Sequence, residues 1–247
     1  MSRLLRLLAL ATGMLTVLRV RVPGRVPAEE LRASTALYPL VGLGVGALPG
    51  LALLLPLPPL PRAALALALW VVMTGALHLD GWADCCDAAF APALPDPMAT
   101  RERRLRILKD PHLGTFGAVG VVLLLLAKWS ALAYAPAAAP LLAAPAGRWC
   151  MVLTLRAFPP AREDGLGATF AGPVPLGAAT ALLGVLLVAT WAMTGTGPWA
   201  ALVGLGAGPA AAVLLARRFG GATGDVSGAA GEVAELATLW ALLPWGA

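Results

Sequence analysis

Gly114-Thr-Phe-Gly-Ala-Val-Gly-Val-Val-Leu-Leu-Leu-Leu-Ala-Lys128-Trp-Ser-Ala-Leu-Ala-Tyr-Ala135 decides the fold class. It carries one charge, Lys128. About 20 apolar residues in a helix, rising 1.5 Å each, cross the roughly 30 Å hydrocarbon core of a bilayer. Comparable segments lie at about 37–58, 63–79, 137–156, 174–196 and 198–216. Helix is the form expected for each, because lipid leaves an open strand edge without hydrogen-bond partners. The expectation is an all-α, polytopic integral membrane helical bundle of about 6–8 transmembrane helices. Residues 1–247 form a single membrane-embedded domain.

Composition agrees. Of 247 residues, 59% are apolar and 13% charged, and mean hydropathy is +0.81. Soluble domains carry about 45–50% apolar and about 25% charged residues. A soluble globular enzyme and a disordered chain are both excluded. The net charge of +5 comes without a basic run interleaved with aromatics, so nucleic acid is not a partner; the lipid bilayer is. Cys85, Cys86 and Cys150 form no CxxC pair and read as free thiols. The N-terminus, with Arg3, Arg6, Arg19, Arg21 and Arg25 around an apolar stretch to Leu18, reads as an interfacial helix and not as a cleaved signal. The tail from Leu236 to Ala247 spans only if its helix begins near Ser227.

The charges order the chain. Fifteen of the 18 basic residues and all 13 acids fall in four stretches, 1–36, 80–113, 156–173 and 217–235. Two spans separate each stretch from the next, which puts all four on one side. The positive-inside tendency makes that side cytoplasmic, and a multi-pass protein of the cell inner membrane with a cytoplasmic active face is expected. Acids contribute little to orientation, so their place on that side asks for a chemical reason.

His78-Leu-Asp80-Gly-Trp-Ala-Asp84-Cys-Cys-Asp87 offers one. On a helix Asp80, Asp84 and Asp87 share a face about 60° wide. Three carboxylates so close repel, and a divalent cation would offset the repulsion. Oxygen-only ligands favour Mg²⁺ or Mn²⁺. His78 falls on the opposite face, outside the first ligand shell. Farther on, the backbone N–H groups of the Gly114-Thr-Phe-Gly117 helix start can hold phosphate, with Lys109 or Arg106 adding charge. Arg148 and Lys128 lie inside apolar spans, where cations face a polar cavity or a carboxylate. Asp225 and Glu232, seven apart in a glycine-rich stretch, share a face if a helix starts there.

These residues together resemble the adenosylcobinamide-GDP ribazoletransferases, or cobalamin synthases. Four elements carry the resemblance in register: Leu77 to Ala88, Leu108 to Gly117, Ala161-Arg162-Glu163-Asp164-Gly-Leu-Gly167, and Gly220 to Glu235. Tyr38-Pro-Leu-Val-Gly42 adds a fifth. The resemblance covers roughly residues 15–245 and departs from the family pattern at Pro111-His112, where Ser-Arg is usual, and at Ala88. It implies transfer of the cobinamide-phosphate group of adenosylcobinamide-GDP to α-ribazole or its 5′-phosphate, with release of GMP and Mg²⁺ as cofactor.

Resemblance and spacing together nominate Asp80, Asp84, Asp87, Lys109 and His78 as catalytic. The proton acceptor stays open between His78 and a metal-free carboxylate. Arg106, Asp110, Gly114, Arg148, Arg162, Glu163, Asp225 and Glu232 are nominated to hold substrate or phosphate. Asp80, Asp84, Asp87, Asp225 and Glu232 are nominated for the metal. A homo-oligomer is compatible with the sequence. Two rivals fit less well. A CDP-alcohol phosphatidyltransferase-like enzyme would carry a different Asp/Gly spacing, and a small-molecule carrier would show internal repeats.

Overall fold

The computed structural model describes residues 2–244. Among them no strand forms; the elements are one short 3₁₀ helix, Thr35–Leu37, and twelve α-helices. They are α1 (Arg3–Leu15), α2 (Ala28–Ser34), α3 (Tyr38–Ala52), α4 (Pro59–Thr74), α5 (Leu77–Phe90), α6 (Pro97–Ile107), α7 (Thr115–Tyr134), α8 (Ala139–Ala157), α9 (Gly165–Thr169), α10 (Leu176–Thr194), α11 (Trp199–Phe219) and α12 (Gly224–Ala241).

Four helices are long and apolar enough to cross a membrane: the continuous run Ala28–Ala52, α7, α10 and α11. The pair α4–α5 makes a fifth if taken as one broken span. By length and apolar composition alone these make four or five of the 6–8 read from the sequence. The difference lies largely in α8 and α12, which are 19 and 18 residues long. They carry Arg148, Glu232 and Glu235, and neighbouring helices cover them in place of lipid. α7 shows the contrasting pattern, with Val119, Val122, Leu123 and Leu126 exposed as a lipid-facing stripe. At 13 residues, or about 20 Å, α1 is too short to span. Its exposed Leu4 and Leu5 and buried Leu10 and Leu15 suit a place at the bundle's edge. The C-terminal helix begins at Gly224, ahead of Ser227; residues 245–247 lie outside the described part.

α12 is the hub. It packs on α5, α7, α8 and α11. Its inward face is mostly small, with Gly228, Ala229, Ala230, Gly231 and Ala234 all buried. Small residues let helix backbones approach closely, which is the main source of packing energy between helices in lipid. A Cβ at Gly147 of α8 would stand 2.9 Å from the Gly231 carbonyl oxygen of α12. The three cysteines are free and buried.

Candidate active site

The break between α4 and α5 sets the site. Gly75 (φ 60°) caps α4 in the left-handed region, and Ala76 (φ 57°) follows in the same region. The chain turns by 89° there. Ala76 is the one non-glycine residue at positive φ among those described, a conformation costing roughly 1–2 kcal/mol. The packing of α5 on α12 holds it. At the crossing, a Cβ on Gly81 would lie 2.9 Å from Asp225 Cα, so only glycine lets the two backbones come so near.

This crossing brings Asp225, at the start of α12, up to the acidic face of α5. Asp84 is half-buried. The negative charges of Asp80, Asp225 and Asp87 all bear on it, with Arg162 opposing them. Neither Asp80 nor Asp84 makes an ion pair among the described residues. Thr223 caps α12, its Oγ1 accepting from Val226 N at 3.1 Å and donating to Asp225 Oδ2 at 3.1 Å. Arg162 reaches the site because its loop is fastened there. Ala161 N donates to Ala222 O at 2.9 Å, and Ala222 N donates to Pro159 O at 2.8 Å. Arg162 Nη2 then stands 3.8 Å from Asp225 Oδ2. Lys109 Nζ closes the rim on Asp164 at 2.6 Å. That hydrogen bond holds the Asp164 carboxyl below the usual carboxylate range.

Asp87 behaves differently from Asp80 and Asp84. Its Oδ2 accepts from Gly114 N and its Oδ1 from Gly117 N, each at 2.8 Å. It caps α7 across 27 residues of chain, which satisfies donors that every helix start leaves free. Two sequence expectations change as a result. The N–H groups of the Gly114–Gly117 turn hold a carboxylate of this chain instead of a phosphate. Asp80, Asp84 and Asp225 neighbour one another without forming a ready set of three metal ligands, and Asp87 is committed to the start of α7.

His78 is 2% exposed, and neither ring nitrogen has a hydrogen-bond partner. Although it leaves α5 on a different side from Asp80, both line one cavity of about 80 Å³ with Tyr38, Asp225 and Ser227. The other walls are apolar, among them Met151 and Phe170.

Several nominated residues lie elsewhere. Glu232 is deep in the bundle, where its Oε2 accepts from Lys128 Nζ at 2.5 Å. Lys128 also donates to Glu235 Oε2 at 2.5 Å, and Arg148 Nη1 to Glu235 Oε1 at 2.5 Å. The Trp70 ring lies 5.1 Å from Lys128 Nζ. Glu232 and Arg148 are thus engaged in a buried quartet of two cations and two carboxylates, away from Asp80 and Asp84. Glu235 completes it and was not among the sequence candidates. The signal was present, since two cations inside apolar spans need acids and Glu232 and Glu235 are one turn apart. Asp110 sits in an exposed turn, accepting from His112 Nδ1 at 2.7 Å, a bond that lowers its pKa. Arg106 and Glu163 are exposed and without partners among the described residues.

The chain matches the family model described as cobalamin-5-phosphate synthase over residues 7–243. The chain belongs to the cobalamin-5-phosphate synthase family. Curated relatives agree along nearly its whole length. The adenosylcobinamide-GDP ribazoletransferase of Deinococcus radiodurans is 41% identical, the match covering 97% of this chain and 86% of the relative. Its namesakes in Pseudomonas entomophila and Stutzerimonas stutzeri are each 40% identical, over 93% and 94% of this chain and 95% of each relative. No solved structure matches it. Membership in the cobalamin-5-phosphate synthase family makes this an enzyme of cobalamin biosynthesis, and the CDP-alcohol and carrier readings are not favoured.

Proposed function

We propose that this chain transfers the cobinamide-phosphate group of adenosylcobinamide-GDP to a hydroxyl of α-ribazole or its 5′-phosphate, releasing GMP. The observation that carries the mechanism is the meeting of Asp80 and Asp84 with Asp225 beside Arg162, on helices that cross at Gly81. Phosphoryl transfer needs charge neutralisation and alignment more than covalent help from protein.

The donor set fits Mg²⁺. All the donors are hard carboxylate oxygens, and Asp80 and Asp84 lack cationic partners. No three acid, thiol or imidazole groups among the described residues stand ready as a complete ligand set. Mg²⁺ does not require one, since it keeps several waters and binds through one or two carboxylates plus substrate phosphates. One or two of Asp80, Asp84 and Asp225 would hold it together with the substrate's phosphates, and when bound it would neutralise the diphosphate and stabilise the departing oxygen. Arg162 takes further phosphate charge, with Lys109 at the rim. The proton of the incoming hydroxyl goes either to a metal-free carboxylate of this cluster or to His78, which lines the cavity with two free ring nitrogens. Asp87 and Gly81 act by position, the first fixing α7 and the second the crossing. The positive-inside tendency places this face toward the cytoplasm of the cell membrane.

The direct test uses the purified chain in vesicles with adenosylcobinamide-GDP and α-ribazole. GMP should appear with Mg²⁺ and nearly cease with EDTA. Full activity in EDTA removes the metal; no GMP under any metal removes the assignment. Gly81→Ala provides a second check. Its Cβ would stand 2.9 Å from Asp225 Cα, closer than a side-chain carbon tolerates, so the two backbones must part. A 1 Å misplacement costs about a hundredfold in rate, so about a tenfold loss is expected here. An unchanged rate would mean that the crossing does not set the geometry.

A further inference from the structure

Arg101, Arg104, Arg217 and Arg218 line one cleft of about 470 Å³ that the reaction above does not use. The first two lie on α6 and the last two in the final turn of α11. A helix C-terminus favours nearby cations, which accounts for Arg217 and Arg218 on their own helix. It does not account for Arg104 being brought to meet Arg218. None of the four has an acidic partner among the described residues. Arg101 is engaged, donating to the carbonyls of Phe219, Ala161 and Gly220, and so ties α6 to the end of α11. Arg104 Nε is buried without a partner. Burial and the Arg218 charge together pull the Arg104 guanidinium below its ordinary pKa. Cations gathered this way repel one another until an anion joins them.

The surroundings narrow the class of anion. α11 is a candidate span, so its last turn comes to the membrane surface. Leu94 and Met98, on the cleft's wall, are 37% and 59% exposed. Basic pockets at such a surface bind phosphate head groups, and guanidinium forks match phosphate oxygens in pairs. We propose that this cleft binds a phosphate-ester anion, held by the Arg104 and Arg218 guanidiniums with Arg217 at its mouth. An anionic phospholipid head group and a nucleoside monophosphate present the same chemistry, and the test separates them.

The full chain in dodecyl maltoside is titrated with phosphatidylglycerol, phosphatidylcholine or GMP, and the ligand-induced rise in Tm gives each Kd. Phosphatidylglycerol or GMP should bind, with phosphatidylcholine much weaker. R104Q/R218Q should weaken that binding at least about tenfold, the scale for losing hydrogen bonds to charge. R19Q/R21Q, which removes two exposed arginines, should leave it unchanged. A phosphatidylglycerol effect assigns a lipid site and a GMP effect a nucleotide site. Equal loss in both double variants, or no loss in either, overturns the proposal. If R104Q/R218Q does not fold, phenylglyoxal modification of the unmutated protein decides. The bound anion should slow modification of Arg104 and Arg218 but not of Arg19, and the absence of protection overturns the site. GMP is also the product at the transferase site, so only the part of its shift that R104Q/R218Q removes counts for this cleft; the phosphatidylglycerol arm stands apart from the transferase assignment.

Discussion

Asp84→Asn is expected to lower kcat for GMP release at least about a hundredfold, the scale for losing one key charge-stabilising group. The amide keeps the carboxylate's size and removes its charge, so the effect isolates electrostatics. Stability should move the other way. Asp84 is half-buried among Asp80, Asp225 and Asp87, and deleting its charge relieves that repulsion. The Tm measured in EDTA should therefore stay level or rise. This pairing separates a catalytic charge from a structural one. A kcat within about threefold of the parent, or a marked fall in Tm, would reassign Asp84 to holding the fold.

Glu235→Ala should give the largest loss of stability. Glu235 is fully buried and accepts from both Lys128 and Arg148, which are 3% and 1% exposed. Its removal leaves two buried cations facing the single carboxylate of Glu232. Breaking a buried ion pair on one side costs about 3–5 kcal/mol, which reversible unfolding in SDS can measure. Lys128→Met with Glu232→Gln removes one cation and one anion together and leaves the Arg148–Glu235 pair intact. It should cost less than half as much, although both changes touch the same cluster. A loss under about 1 kcal/mol for Glu235→Ala would show that water or lipid head groups already reach the quartet.

Local spacing carried some of these features and not others. The shared face of Asp80, Asp84 and Asp87 follows from helical periodicity alone, but the span expected at 63–79 breaks at Gly75 and Ala76, and their helix starts anew at Leu77. The uncompensated charges of Lys128 and Arg148 were legible as a demand for acids, but not which acids would answer. Glu232 looked like a companion of Asp225 because seven residues return to the same helix face. It lies two turns deeper, and depth along a helix decides whether a carboxylate meets a substrate or a buried lysine. Asp87 and the Gly114–Gly117 turn were read separately, as ligand and as phosphate cradle. Their bond to each other spans a chain reversal that no local pattern encodes.

The sequence by itself determined that this chain is a helical membrane protein, where its charges concentrate, and which family its motifs resemble. Those properties follow from the apolar content of single segments and from residue order. The tertiary structure alone decided which charges meet. The left-handed pair Gly75 and Ala76 swings α5 across the bundle, and glycine at 81 lets it touch α12. Asp225 thereby joins Asp80 and Asp84, while Glu232 and Glu235 close on Lys128 and Arg148. Electrostatic interactions depend on distances of a few ångströms between residues far apart in the chain, and only packing sets those distances.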